Sequence, residues 1–223
     1  MRYPAAALVL VLSSSAFAEL VTNGSFETGP SVGSQGYTTL TATDSTSISG
    51  WTVSSGDIDY IGGSSPHWFA ADGSASLDMN GSQQGTIDQT LTTVAGKQYT
   101  LSFYLGPNPD GQFGKFLLFD AISNGGSGTS DFGGQQSQFA QYNGETAPNT
   151  SWTQYSFIFT ASTTSTLLQF QGAPASTPYG PALDNVSVLE SPEPGAFLLF
   201  GAGLGGLAFW RRSQSKKSRA AKA

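Results

Sequence analysis

The sequence predicts an all-β domain, a β-sandwich or jelly roll. Three observations lead there. The middle of the chain is rich in Gly, Ser and Thr, and its Val, Ile, Phe, Tyr and Trp residues come in short bursts. Several bursts alternate apolar and polar residues with the period of two expected of half-buried strands. Turn residues separate them at hairpin spacing, and no long stretch outside the two ends has helical periodicity.

The elements follow in order. Leu20-Val21 leads into Asn23-Gly24-Ser25-Phe26-Glu27, a turn or bulge with Phe26 as a core anchor. Gly50-Trp51-Thr52-Val53 is a strand after a turn. Asp57–Ile61 alternates, with Ile58 and Tyr60 on one face and Asp57, Asp59 and Ile61 on the other. Gly73–Met79 and Gly85–Leu91 are two more strands, the first ended by Asn80-Gly81. Gln98–Leu105 is the clearest, with Tyr99, Leu101, Phe103 and Leu105 on one face. Gly106–Gly111, with Pro107 and Pro109, breaks the chain. Lys115–Phe119 is a buried strand, and 123–134 is a Gly/Ser-rich loop. Trp152–Thr160, Thr166–Gln171 and Leu183–Leu189 complete about nine or ten strands. Trp51 and Trp152 are expected in the core.

The two ends are different. Met1-Arg2-Tyr3-Pro4, an apolar run from Ala5 to Leu12 and the small residues of Ala16-Phe17-Ala18 make an N-terminal signal helix, residues 1–18, with cleavage after Ala18. The run is too short to be a spanning helix, which takes about 20 apolar residues. The ectodomain is then 19–190. Segment 191–223 holds Pro192-Glu193-Pro194, an uncharged run 195–210 and a basic tail 211–223 opening on Arg211-Arg212. As a helix that run is about 24 Å long, short of the roughly 30 Å hydrocarbon core, a mismatch that flanking residues and local thinning cover. Trp210 suits an interface, and the basic tail stays cytoplasmic. The five glycines of the run make a poor soluble helix, so a transmembrane helix is expected.

Charge is uneven. Fourteen of the fifteen acidic residues fall within 19–190, against two of the nine basic ones, Lys97 and Lys115. Nucleic acid is excluded as a partner, because phosphate needs clustered Lys or Arg. An acidic surface suits solubility, neutral polysaccharide or divalent cations. The chain has no cysteine, so thiol catalysis, cysteine zinc sites and iron–sulfur clusters are excluded.

The Pro192-Glu193-Pro194 motif, short apolar helix and Arg211-Arg212 end resemble the PEP-CTERM sorting signal. That resemblance implies an exosortase-type membrane protease as partner. It also implies export across the inner membrane of a Gram-negative bacterium, transient anchoring, and then the cell surface or medium. The tail, running to Lys222-Ala223, is longer than the usual few residues. Phrases of the ectodomain resemble the choice-of-anchor C family. They include Asn23–Glu27, Ile48–Val53, Gly56–Ile61, Asp72–Gly81, Thr93–Tyr99 and Gly180–Val186. More distantly, the chain is similar to carbohydrate-binding modules with a galactose-binding-like jelly roll. That likeness implies a structural Ca²⁺ held by Glu27 and Asp184. Without the metal, each carboxylate is expected to accept backbone N–H bonds in turns.

Polysaccharide binding needs aromatic faces for sugar rings and polar groups for hydroxyls. Trp68, Phe113 and Tyr142, with Asn108, are the candidates, among loop aromatics that also include Tyr37 and Tyr179. Catalysis has weaker support. His67 stands alone, no Gly-x-Ser-x-Gly elbow is present, and Asp57 with Asp59 is the one pair that mimics two glycosidase carboxylates. The expectation is a non-catalytic surface or matrix domain that binds extracellular polysaccharide. The alternatives are an adhesive domain that binds proteins and a glycan-active hydrolase.

Overall fold

The computed structural model describes residues 18–63, 69–106, 108–109, 115–132, 138–142, 152–172 and 178–192. Eleven strands are found among them: β1 (Tyr37–Thr41), β2 (Thr52–Ser55), β3 (Asp57–Ile61), β4 (Ser76–Asp78), β5 (Thr86–Thr92), β6 (Gln98–Gly106), β7 (Lys115–Ser123), β8 (Gln138–Tyr142), β9 (Thr153–Thr160), β10 (Ser165–Gly172) and β11 (Ala182–Glu190). They form two sheets, of order β1-β3-β4-β11-β6-β9 and β2-β5-β10-β7-β8, with every named pairing antiparallel. The all-β sandwich is as expected. The signal helix and transmembrane helix expected at the ends lie outside the described residues, as do Glu193, Pro194, Arg211 and Arg212. Pro192 is described and exposed.

The core fills the space between the sheets. Tyr99, Leu101, Phe103 and Leu105 of β6 are all buried on the inner face, as their alternation predicts. They meet Phe119 of β7 and Phe170 of β10 from the other sheet. The Phe103 ring stands edge-on to both, at 5.2 and 5.3 Å between centroids. Each such side chain taken from water contributes roughly 1.5–3 kcal/mol. A domain without disulfides is held by this burial.

Two strands were not expected, β1 and β8, and β7 runs on to Ser123, past the Phe119 end read from the sequence. The first and last segments meet. Leu20 N–H donates to the Val188 carbonyl, and the Glu19 carboxylate accepts the N–H groups of Val21 and Val188 and the Ser187 hydroxyl.

The Asn23–Glu27 motif is a structural staple. Val186 N–H donates to the Gly24 carbonyl, and a Cβ on Gly24 would lie 1.8 Å from the Val186 oxygen. That approach admits glycine alone. Asn23 and Phe26 take positive φ, 55° and 59°, which costs free energy outside glycine. Their neighbours hold them there. Asn23 bridges Thr28 and Ser49, Trp51 donates to the Asn23 carbonyl, and the Tyr60 hydroxyl donates to the Phe26 carbonyl.

Candidate functional site

The site is built on the outer face of the six-stranded sheet. Ile58 and Tyr60 of β3, Leu77 of β4 and Leu183 of β11 belong to the main core. Alternation sends Asp57, Asp59, Ile61, Asp78, Ala182 and Asp184 to the opposite face. Four carboxylates are therefore gathered on β3, β4 and β11.

Each of them ties down a piece of chain. Asp57 accepts the Gln83 N–H at 3.0 Å and the Ser82 hydroxyl at 2.5 Å. Asp59 accepts the Thr39 hydroxyl of the neighbouring strand. Asp78 accepts the N–H groups of Asn80 and Gly180 on one oxygen and the Asn108 amide on the other. Asp184 accepts Ala71 N–H at 2.7 Å and Asp72 N–H at 2.9 Å on one oxygen, and Asn185 N–H on the other. Glu27, delivered by the staple, takes the next donors of the same loop. Its Oε1 accepts the N–H groups of Ser74 and Ala75, and its Oε2 the Ser74 hydroxyl.

Glu27 and Asp184 thus do act together, as two ends of a clamp on residues 71–75. Burial pushes the Asp184 carboxyl up to about 7, against the pull of its three N–H donors, and nearby Asp72 adds to the rise. Burial also works to raise Glu27, but the bonds from Ser74 and Ala75 together outweigh it and hold that carboxyl below its ordinary value. This donor set does not fit a calcium cage. Ca²⁺ takes six to eight oxygen ligands, whereas N–H and O–H donors face these carboxylates. Among the described residues no three acidic or histidine side chains converge.

The sugar-binding candidates separate. Asn108 is 1% exposed and spends its amide on Asp78. Its expected place at a sugar is corrected: a strand carboxylate beneath the loop draws it inward. Tyr142 is the last residue of β8, paired with Lys115, rather than a loop residue. Its side chain lies outside the described structure. Trp68, Phe113 and His67 fall outside the described residues. Asp57 and Asp59, read as a possible acid pair, are occupied as above.

Other aromatics come to the surface. Trp51 is buried as expected, but Trp152 is not, because it precedes the edge strand β9 and lies on the outer face. There it packs with Tyr37 against Ile61 and Ala182, a small cluster separate from the core. Its ring covers Gly106 so closely that a Cβ there would come within 2.6 Å of it, and its indole N–H donates to the Phe69 carbonyl at 3.0 Å. Phe69 is 63% exposed, and Tyr179, three residues before Ala182, is 41% exposed. Phe69 had no mark in the sequence beyond its neighbour Trp68.

A family model for DUF642, described as a protein of unknown function, matches residues 19–189. The chain belongs to the DUF642 family. This DUF642 chain is 37% identical over 200 residues to halomucin of Haloquadratum walsbyi, covering 84% of the chain but 2% of halomucin. Similar solved structures include a CBM4 structure, at 18% identity and TM-score 0.42, covering 77% of this chain and 99% of that one. Another is the CBM22-1 xylan-binding domain of Paenibacillus barcinonensis Xyn10C, at 18% and 0.40, covering 75% and 91%. A third is TmCBM61 in complex with β-1,4-galactotriose, at 14% and 0.42, covering 78% and 99%.

Proposed function

We propose that this DUF642 domain is a non-catalytic polysaccharide-binding module that works outside the cell. The observation that carries the reading is the half-buried Trp152 ring on the outer sheet face, its indole hydrogen-bonded to the carbonyl of exposed Phe69, with exposed Tyr179 leading into β11 at the same end of the sheet. Exposed rings beside a sheet face suit the apolar faces of sugars. Among the described residues, Asp57 and Asp59, the pair that could mimic glycosidase carboxylates, accept hydrogen bonds from Ser82, Gln83 and Thr39, which favours binding over turnover. Export, transient anchoring by 195–210 and sorting by an exosortase-type protease rest on the signal-like ends and on the likeness to choice-of-anchor C proteins. The test is a glycan array probed with the purified protein, with EDTA and with added Ca²⁺, alongside a reducing-sugar assay on every bound glycan. Retention without release of reducing ends is expected. Self-association with no glycan retained would turn the reading into an adhesive one, and turnover would make the protein a hydrolase.

A further inference from the structure

The edge strand β9 has a second end. From Trp152 to Thr160 the extended chain covers about 26 Å, and near Thr160 it borders a groove of about 460 Å³. That volume falls within the roughly 300–1,000 Å³ of ligand sites.

The groove is amphipathic. Ile158, 60% exposed, and half-buried Phe132 give it an apolar lining, backed by the buried Phe159. Gln98, Thr129, Thr160 and Ser162 are exposed around it and carry amide and hydroxyl groups. Among the described residues no basic side chain lines it. Lys97, next to Gln98, is paired with Glu190 at 3.4 Å.

One buried residue shapes it. Asp131 donates its N–H to the Ala121 carbonyl, and its own carbonyl accepts Thr160 N–H. Its carboxylate accepts the N–H and hydroxyl of Ser162 on one oxygen and the Thr166 hydroxyl on the other. The loop 129–132 is thereby pinned to β7, β9 and the start of β10. A ligand there meets a preformed wall and has little ordering cost to offset.

We propose that this groove is a second carbohydrate subsite, selective for neutral polysaccharide. An apolar lining under hydroxyl and amide groups matches the alternating apolar faces and hydroxyls of a pyranose chain. The Asp131 carboxylate and the lack of a basic side chain among the described lining residues disfavour uronate or sulfate groups. Asp131 acts as a positioning residue, since its oxygens are already engaged. The proposal rests on the reading of the domain as a glycan binder, but it concerns the opposite end of β9 from the aromatic patch.

The test is amide chemical-shift mapping on the ¹⁵N-labelled full chain titrated with cellohexaose, xylohexaose, β-1,4-galactotriose and an oligogalacturonate. Shifts at 129–132 and 158–162 are expected with at least one neutral probe and not with the uronate. The surface variant Ile158→Ala/Thr160→Trp should weaken binding at these residues at least fivefold and leave shifts near Phe69 unchanged. Shifts confined to the Phe69–Trp152 end would overturn the groove while sparing the function. A groove preference for the oligogalacturonate would overturn its neutral selectivity. No shift with any probe would overturn groove and function together.

Discussion

A carboxylate on the outer sheet face can hold a loop or do chemistry, and here its partners decide. Asp184 is fully buried with three N–H donors and a pKa raised to about 7. Its folded-state pKa lies above the ordinary value of 3.8. The native state therefore holds the proton more tightly than the unfolded chain. Its contribution to stability is fully present below that ordinary value and is lost as pH rises through about 7. Denaturant midpoints of the wild type should fall between pH 5 and 8 relative to those of Asp184→Asn. Parallel pH profiles for the two proteins would remove this assignment. Glu27 works in the opposite sense: its lowered pKa gives stability that is lost as the pH falls into the acid range. Because N–H donors surround both groups, EDTA should leave the thermal midpoint where it is. A fall reversed by added Ca²⁺ would instead establish the metal expected from the sequence. The importance of Glu27 and Asp184 was legible in the Asn-Gly-Ser-Phe-Glu and Leu-Asp-Asn-Val phrases. Their partners were not, because main-chain N–H groups of residues 71–75 leave no trace in side-chain pattern.

At the scale of elements, the strands that pack on both sides were readable. The alternation of Gln98–Leu105 set β6 and its buried face correctly, as did that of Asp57–Ile61 for β3. The two missed strands are both at sheet edges: β1 ends one sheet and β8 the other. An edge strand pairs on one side only and needs fewer apolar residues. Tyr37-Thr38-Thr39-Leu40-Thr41 buries just Leu40 fully. Trp152 was misplaced for the same reason, since the sequence does not say that the strand after it is an edge. The staple formed by Asn23–Glu27 makes a sharp prediction. Gly24→Ala would press a methyl group into the Val186 carbonyl and should destabilise the fold by at least about 2 kcal/mol. Phe26→Ala empties a fully buried site and should cost about 3–5 kcal/mol. Urea unfolding measures both. A Gly24→Ala protein as stable as the wild type would mean that the staple does not close on β11.

For the whole molecule, the sandwich is a rigid platform with its acids turned to internal use. The charge imbalance seen in the sequence is real, and many of those acids accept hydrogen bonds from neighbouring loops and strands. At one end of the sheet Trp152 lies on the outer face, with the carbonyl of exposed Phe69 bonded to its indole and exposed Tyr179 leading into β11. Phe69 and Tyr179 are the two of that group whose removal should not disturb the core, since both are well exposed. Each ring is expected to contribute about 1 kcal/mol to sugar contact, so the pair together should change affinity by a factor of at least about ten. The measurement to make is calorimetric titration of the wild type and of Phe69→Ala/Tyr179→Ala with the glycan best retained on the array. The account predicts saturable binding by the wild type, and a tenfold or greater loss in a double variant of unchanged stability. Equal affinity of the two proteins would contradict it.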